Sequence, residues 1–150
     1  MNSIDLQIIH ATPGLPSQQQ LQQWLDMALE DYPQDTEIVV RIVDEQESAE
    51  LNQNYRDKQG PTNILSFPFE APDIPGMELN LLGDLVICAP ILKKEALEQQ
   101  KNLLDHWAHI LIHGVLHLIG YDHIDEQEAE IMENKEITIL QKLNIRNPYH

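Results

Sequence analysis

Short apolar runs broken by turn residues mark the strands of this chain, and apolar residues at helical spacing mark its helices. "IDLQIIH" (4–10) has strand character and ends at "TPGLP" (12–16), where prolines and a glycine interrupt regular structure. In "SQQQLQQWLDMALEDY" (17–32), Ser17 offers an N-cap, and Leu21, Trp24, Leu25, Ala28 and Leu29 share one helical face. The β-branched "TEIVVRIVD" (36–44) reads as a strand. "EQESAELNQNYR" (45–56) reads as a short helix that leads into the loop "DKQGPTN" (57–63).

"ILSFPFE" (64–70) is strand-like, and Pro68, which lacks an N–H, assigns it to a sheet edge or a strand end. "APDIPGMELN" (71–80) is the best candidate for a mobile loop, and "LLGDLVICA" (81–89) is a further strand. Pro90 can open the helix "PILKKEALEQQK", and a longer helix follows from Leu103 to Ile119. The last helix, 125–143, starts acidic and has a lysine near its end, as the helix dipole favours. The order β-α-β-α-β-β-α-α-α predicts an α+β fold: a four-stranded sheet packed with about five helices. With no repeat and no linker, residues 1–150 are expected to form a single domain.

The helix over 103–119 changes the picture from fold to chemistry. At about 100° per residue, His106, His109, His113 and His117 cluster within roughly one quadrant. Trp107, Ala108, Leu111, Ile112, Val115, Leu116, Leu118 and Ile119 fill most of the rest, so this helix is expected to be central and buried. Burying several imidazoles is costly unless each has a partner, and a metal ion supplies one. His113 and His117 stand one turn apart and can reach one ion. Gly120 can end the helix in the left-handed conformation, and the chain can then return His123 as a third ligand. Three protein ligands with a fourth position open describe a catalytic site rather than a closed structural one. The metal site is thus expected at the C-terminal end of the central buried helix, and that end's negative dipole favours a cation.

Zinc is the default ion, one per chain, although Ni2+ or another divalent metal suits imidazole as well. His106 and His109 are expected to support the site rather than ligate it. Asp122 is either an orienting group or a plain turn residue. The spacing H-x-x-x-H-x-x-G-x-x-H is that of the metzincin proteases, but Gly114 stands where those enzymes keep the glutamate that activates water. A glycine there also removes a side chain beside the metal face, which would leave room for a bulky substrate group.

Charge and cysteine usage narrow the classes. Nine Lys and Arg against 25 Asp and Glu give a net charge of −16, unfavourable for holding nucleic acid unaided. No run of about 18 uncharged apolar residues exists, which excludes a membrane-spanning helix, and "MNSIDLQIIH" lacks the features of a signal peptide. Cys88, the only cysteine, is expected to be a core residue and suits a reducing cytoplasm.

"HGVLHLIGYDH" (113–123), preceded by "NYRDKQGPTNILSFPFE" (54–70) and "LGDLVICA" (82–89), resembles the YbeY family of bacterial metal-dependent endoribonucleases, in motif order and along essentially the whole chain. The resemblance implies a metal on His113, His117 and His123, and a functional Arg56 facing the metal cleft. It also implies a role in 16S rRNA 3′-end maturation and 70S ribosome quality control, in the cytoplasm. Its implied partners are single-stranded or ribosomal RNA and small-subunit proteins, with no DNA and no membrane. Arginine suits that role because its guanidinium can hold phosphate oxygens in bidentate fashion and stabilise an anionic transition state. Lys58 could assist it. Ser66 and Asp84 are expected on strands near the metal helix, Asp84 as a partner for a ligand histidine or a strand-end residue. The competing readings are a metalloprotease or amide hydrolase with an unidentified base, and a metal-stabilised binding module.

Overall fold

The computed structural model describes residues 2–32, 35–69, 81–122 and 124–149. The predicted loop at 71–80 and the predicted ligand His123 lie outside the described residues. The elements come in the expected order: β1 (Ser3–Ile8), α1 (Gln18–Ala28), β2 (Glu37–Val43), α2 (Glu45–Arg56), β3 (Ile64–Pro68), β4 (Leu81–Cys88), α3 (Ala89–Glu98), α4 (Leu103–Leu118) and α5 (Glu126–Lys142). The α+β expectation of a four-stranded sheet with five helices is met.

The sheet order is β1-β2-β4-β3. β1, β2 and β4 run parallel, and β3 pairs antiparallel with β4 along the edge. Pro68 sits at the end of that edge strand, where a missing N–H costs no central ladder bond. A bulge separates Glu37↔Leu81 from Ile38↔Gly83. Gly83 has φ +151°, and a Cβ there would lie 2.3 Å from the Phe67 carbonyl oxygen. Only glycine allows β3 so close to β4 at that bulge.

Strand alternation sorts side chains into two layers. Ile38, Val40 and Ile42 of β2, Ile64 of β3, and Leu85 and Ile87 of β4 join the larger core with residues of α1, α3, α4 and α5. On the opposite face Leu65, Val86 and Cys88 form a smaller cluster with Val43, covered by Leu51 of α2. Cys88 is therefore a core residue, and burial raises its thiol pKa.

Local capping places the helices as the sequence suggests. Ser17 and Gln20 form a reciprocal capping box on α1. Pro90 stands in the first turn of α3, and Asp125 caps α5 by accepting from the Glu128 amide at 2.7 Å. α1 stops at Ala28, earlier than expected, and the chain turns through Glu30 and Asp31. Tyr32 precedes Pro33, and a residue before proline is disfavoured in a helix.

α4 packs against α1, α3, α5, β3 and β4. Trp107, Leu111, Ile112, Val115 and Leu116 are almost fully excluded from solvent. At about 1.5–3 kcal/mol for each large apolar side chain buried, this helix is the chief anchor of the core. Gly114 faces the sheet: a Cβ there would meet Ile64 Cδ1 at 2.5 Å and Leu85 Cδ2 at 2.9 Å. The glycine therefore seats α4 closely on β3 and β4. It does not open space beside the metal face for substrate.

Candidate metal centre

The histidine stripe runs along the one side of α4 that the apolar residues leave. Asn102 starts the helix by accepting from the Asp105 amide at 3.2 Å. Two glycine-dependent bonds end it: Gly120 N–H donates to His117 O at 3.1 Å, and Tyr121 N–H to Leu116 O at 3.0 Å. With Gly120 at φ +107°, this is a Schellman motif, and it reverses the chain just after His117.

Along the stripe the rings step from buried to open. His106 is fully buried and meets Glu95 of α3 at 2.9 Å. His109 Nε2 lies 3.3 Å from both Glu136 Oε2 and the Tyr149 hydroxyl. His113 presents Nδ1 to Glu136 Oε1. Its other nitrogen, Nε2, faces Nε2 of His117 at 3.1 Å.

Glu136 organises this corner. It is wholly buried, and hydrogen bonds from His113 Nδ1 and the Tyr149 hydroxyl converge on it, with His109 Nε2 alongside. Burial alone would raise its pKa. The hydrogen bonds from His109, His113 and Tyr149, with the charge of His113, outweigh that and hold it at about 2. An ionised carboxylate only accepts, so His113 Nδ1 carries a proton, and Nε2 is the nitrogen that the neutral ring offers to a cation. Burial lowers the pKa of His109, against the pull of Glu136. Burial and the Glu136 carboxylate together raise that of Tyr149 and keep its hydroxyl protonated.

These donors fit a divalent cation. At about 2.0–2.1 Å per bond, two nitrogens on one tetrahedral ion stand roughly 3.3 Å apart, close to the separation of the His113 and His117 Nε2 atoms. His109, His113 and Glu136 also bring one ligand atom each within 4.8 Å of one another. In that group, however, Glu136 is already in hydrogen-bond contact with His113 Nδ1. That is how a carboxylate orients a metal-binding imidazole from behind.

His117 opens onto a cleft of about 500 Å3, also lined by Arg56, Ile64, Leu65, Ser66, Pro68, Gly120, Tyr121 and Asp122. Arg56 is the last residue of α2, and the left-handed Asp57 (φ 54°) turns the chain there. Arg56 and His117 thus share one cleft although 61 positions separate them. Ser66 faces the same side. Asp84 does not: it is exposed, and it shares the α2-facing side of β4 with Val86, away from α4. The expectation that Asp84 partners a ligand histidine is corrected. Lys58 is exposed and does not line the cleft.

Glu136 was missed at the sequence level, although a signal existed. Met132, Ile139 and Leu140 are the buried stripe of α5, and Glu136 falls between them at helical spacing. An acidic residue in a core position needs a partner. Tyr149 gave no such signal.

Comparison with known proteins decides the family. The family described as endoribonuclease YbeY matches residues 10–144. The chain belongs to the YbeY family. A relative from Colwellia psychrerythraea (strain 34H), named endoribonuclease YbeY, is 55% identical over 150 residues, covering 97% of this chain and 96% of its own. The solution structure of TM1509 from Thermotoga maritima is similar in fold, with a TM-score of 0.60 and 25% identity across 93% of this chain and 92% of that one. Among the described residues, no helix is long and apolar enough to cross a membrane.

Proposed function

We propose that this chain is a metal-dependent endoribonuclease that cuts single-stranded RNA. One divalent ion, zinc first, is held by His113, His117 and His123, with Arg56 holding phosphate. The observation that carries the reading is the pair of Nε2 atoms 3.1 Å apart at the mouth of a cleft that also contains Arg56. Family membership points the same way, because the relative with 55% identity is named an endoribonuclease.

A divalent ion at this site supplies Lewis acidity, activating water near neutral pH and offsetting charge that builds on phosphate. The chain's own groups do the rest. Glu136 fixes the His113 ring so that Nε2 points into the site. Arg56 binds and orients a phosphodiester across the cleft and stabilises the added negative charge of its transition state. Among the described residues lining the cleft, Arg56 is the only lysine or arginine, so it sets where a phosphate rests in a chain of net charge −16. The substrate in this reading is the 3′ end of 16S rRNA, with a further role in 70S ribosome quality control alongside small-subunit proteins. That specificity rests on the family resemblance.

The protease alternative loses support from the packing. A carboxylate at position 114 would enter the contact with Ile64 and Leu85, not stand beside the metal. The test is cleavage of single-stranded RNA by the zinc-loaded protein, with and without chelator. Cleavage is expected to stop on chelation and in His113→Ala, and to fall steeply in Arg56→Ala. Cleavage that survives both chelation and His113→Ala overturns the reading.

A further inference from the structure

We infer that Glu136 and Tyr149 are positioning residues of the metal centre, acting in series through His113. The inference deepens the metal reading above and rests on it. Glu136 reaches His113 from α5, 23 positions away, and is fully buried behind the ring. Its Oε1 accepts a hydrogen bond from His113 Nδ1–H, and its Oε2 faces Tyr149 O–H and His109 Nε2. Both oxygens are engaged, so the carboxylate cannot rotate without breaking a bond. The Tyr149 ring also stands edge-on to His109, with centroids 5.5 Å apart and planes at 84°.

The consequence is a fixed tautomer. With Nδ1 protonated, His113 offers only Nε2 to a cation, aimed at His117. A carboxylate hydrogen-bonded behind a ligand imidazole also makes it a stronger base, and loss of such a partner costs about 10- to 100-fold in metal affinity. Tyr149 belongs to the C-terminal segment beyond α5 and touches no reacting group. Its hydroxyl keeps Glu136 turned toward His113, which makes the segment after α5 part of the metal site's support.

The test is zinc affinity of the full-length metal-free protein, measured by competition with a chromophoric chelator, together with the visible spectrum of the Co2+-loaded form. Glu136→Gln keeps the size of the side chain and an acceptor for His113, but loses the charge and places an amide N–H2 toward Tyr149 and His109. It is expected to weaken zinc binding about 10- to 100-fold and to shift the Co2+ bands. Tyr149→Phe keeps the ring against His109 and is expected to weaken binding by about 3- to 10-fold, the cost of one lost hydrogen bond. The double variant is expected to match Glu136→Gln, because Tyr149 acts through Glu136.

Unchanged affinity in a Glu136→Gln protein with native circular dichroism overturns the proposal, as do additive effects in the double variant. If Glu136→Gln loses zinc as completely as His113→Ala while His117→Ala retains it, Glu136 is a direct ligand and the positioning role fails. Failure of the metal reading itself looks different: His113→Ala then binds zinc as tightly as wild type.

Discussion

The two walls of the candidate site are built in opposite ways. On one wall, His109, His113, Glu136 and Tyr149 come from α4, α5 and the C-terminal segment, and their hydrogen bonds converge on the wholly buried Glu136. On the other, Arg56 at the end of α2 and Asp122 beyond α4 stand exposed around an open cleft. The first wall suits groups that must be held in one geometry and one protonation state. The second suits groups that must meet a large, hydrated polyanion and release it. Metal affinity and substrate handling should therefore separate when each wall is damaged.

The largest effect is expected from the buried wall. His113→Ala should lose bound metal, and its RNA cleavage should fall by more than about 100-fold, beyond the cost of losing an outer partner. Elemental analysis alongside the cleavage assay checks both. Gly114→Glu should damage the same wall through packing, because it drives a carboxylate into Ile64 and Leu85. An unpaired buried charge costs several kcal/mol, so thermal unfolding should show a protein near or past the limit of stability, with no gain of peptide cleavage.

Damage to the open wall should be selective. Arg56→Ala is expected to lower cleavage about 100- to 1000-fold, the cost of losing one preorganised group that stabilises transition-state charge. Its zinc content and thermal midpoint should match wild type. A parallel loss of metal would mean that the two walls are one unit.

Acid should act on the buried wall more gently. Glu136 is held at about 2 against an ordinary 4.5, so its stabilisation is complete above about 4.5 and fades as pH falls toward 2. His109 has a lowered pKa, so the unfolded chain takes up its proton first as pH drops below 6.5, which also favours unfolding. Both signs agree. The metal-free protein should lose thermal stability steadily from pH 7 toward 3, with a shallower fall in Glu136→Gln. The smallest effect should be Lys58→Ala, which leaves the cleft lining intact and should change cleavage by less than about twofold, as for a solvated surface charge.

How much of this was legible depended on sequence distance. The histidine stripe and its glycine cap lie within 18 residues, and helical periodicity alone brings them to one face and one end. The order of strands and helices followed from apolar spacing in the same way. Partners from distant elements did not. Glu136 is one of several glutamates in α5, and only its place between Met132 and Ile139 sets it apart. Arg56 was singled out by resemblance, because no local pattern shows that α2 ends beside His117. Of the two readings open for Asp84, strand alternation, a one-residue matter, disfavours the histidine partner. Gly114 shows the reverse error: a position read for its missing chemistry turned out to be set by helix-on-sheet packing.

The central claim is that one wall holds the metal and the other holds the phosphate. Its most direct test measures zinc content and single-stranded RNA cleavage together in wild type, His113→Ala and Arg56→Ala. The account predicts that His113→Ala loses both, while Arg56→Ala keeps its zinc and loses cleavage. Wild-type cleavage by His113→Ala, freed of zinc and in the presence of chelator, would contradict it.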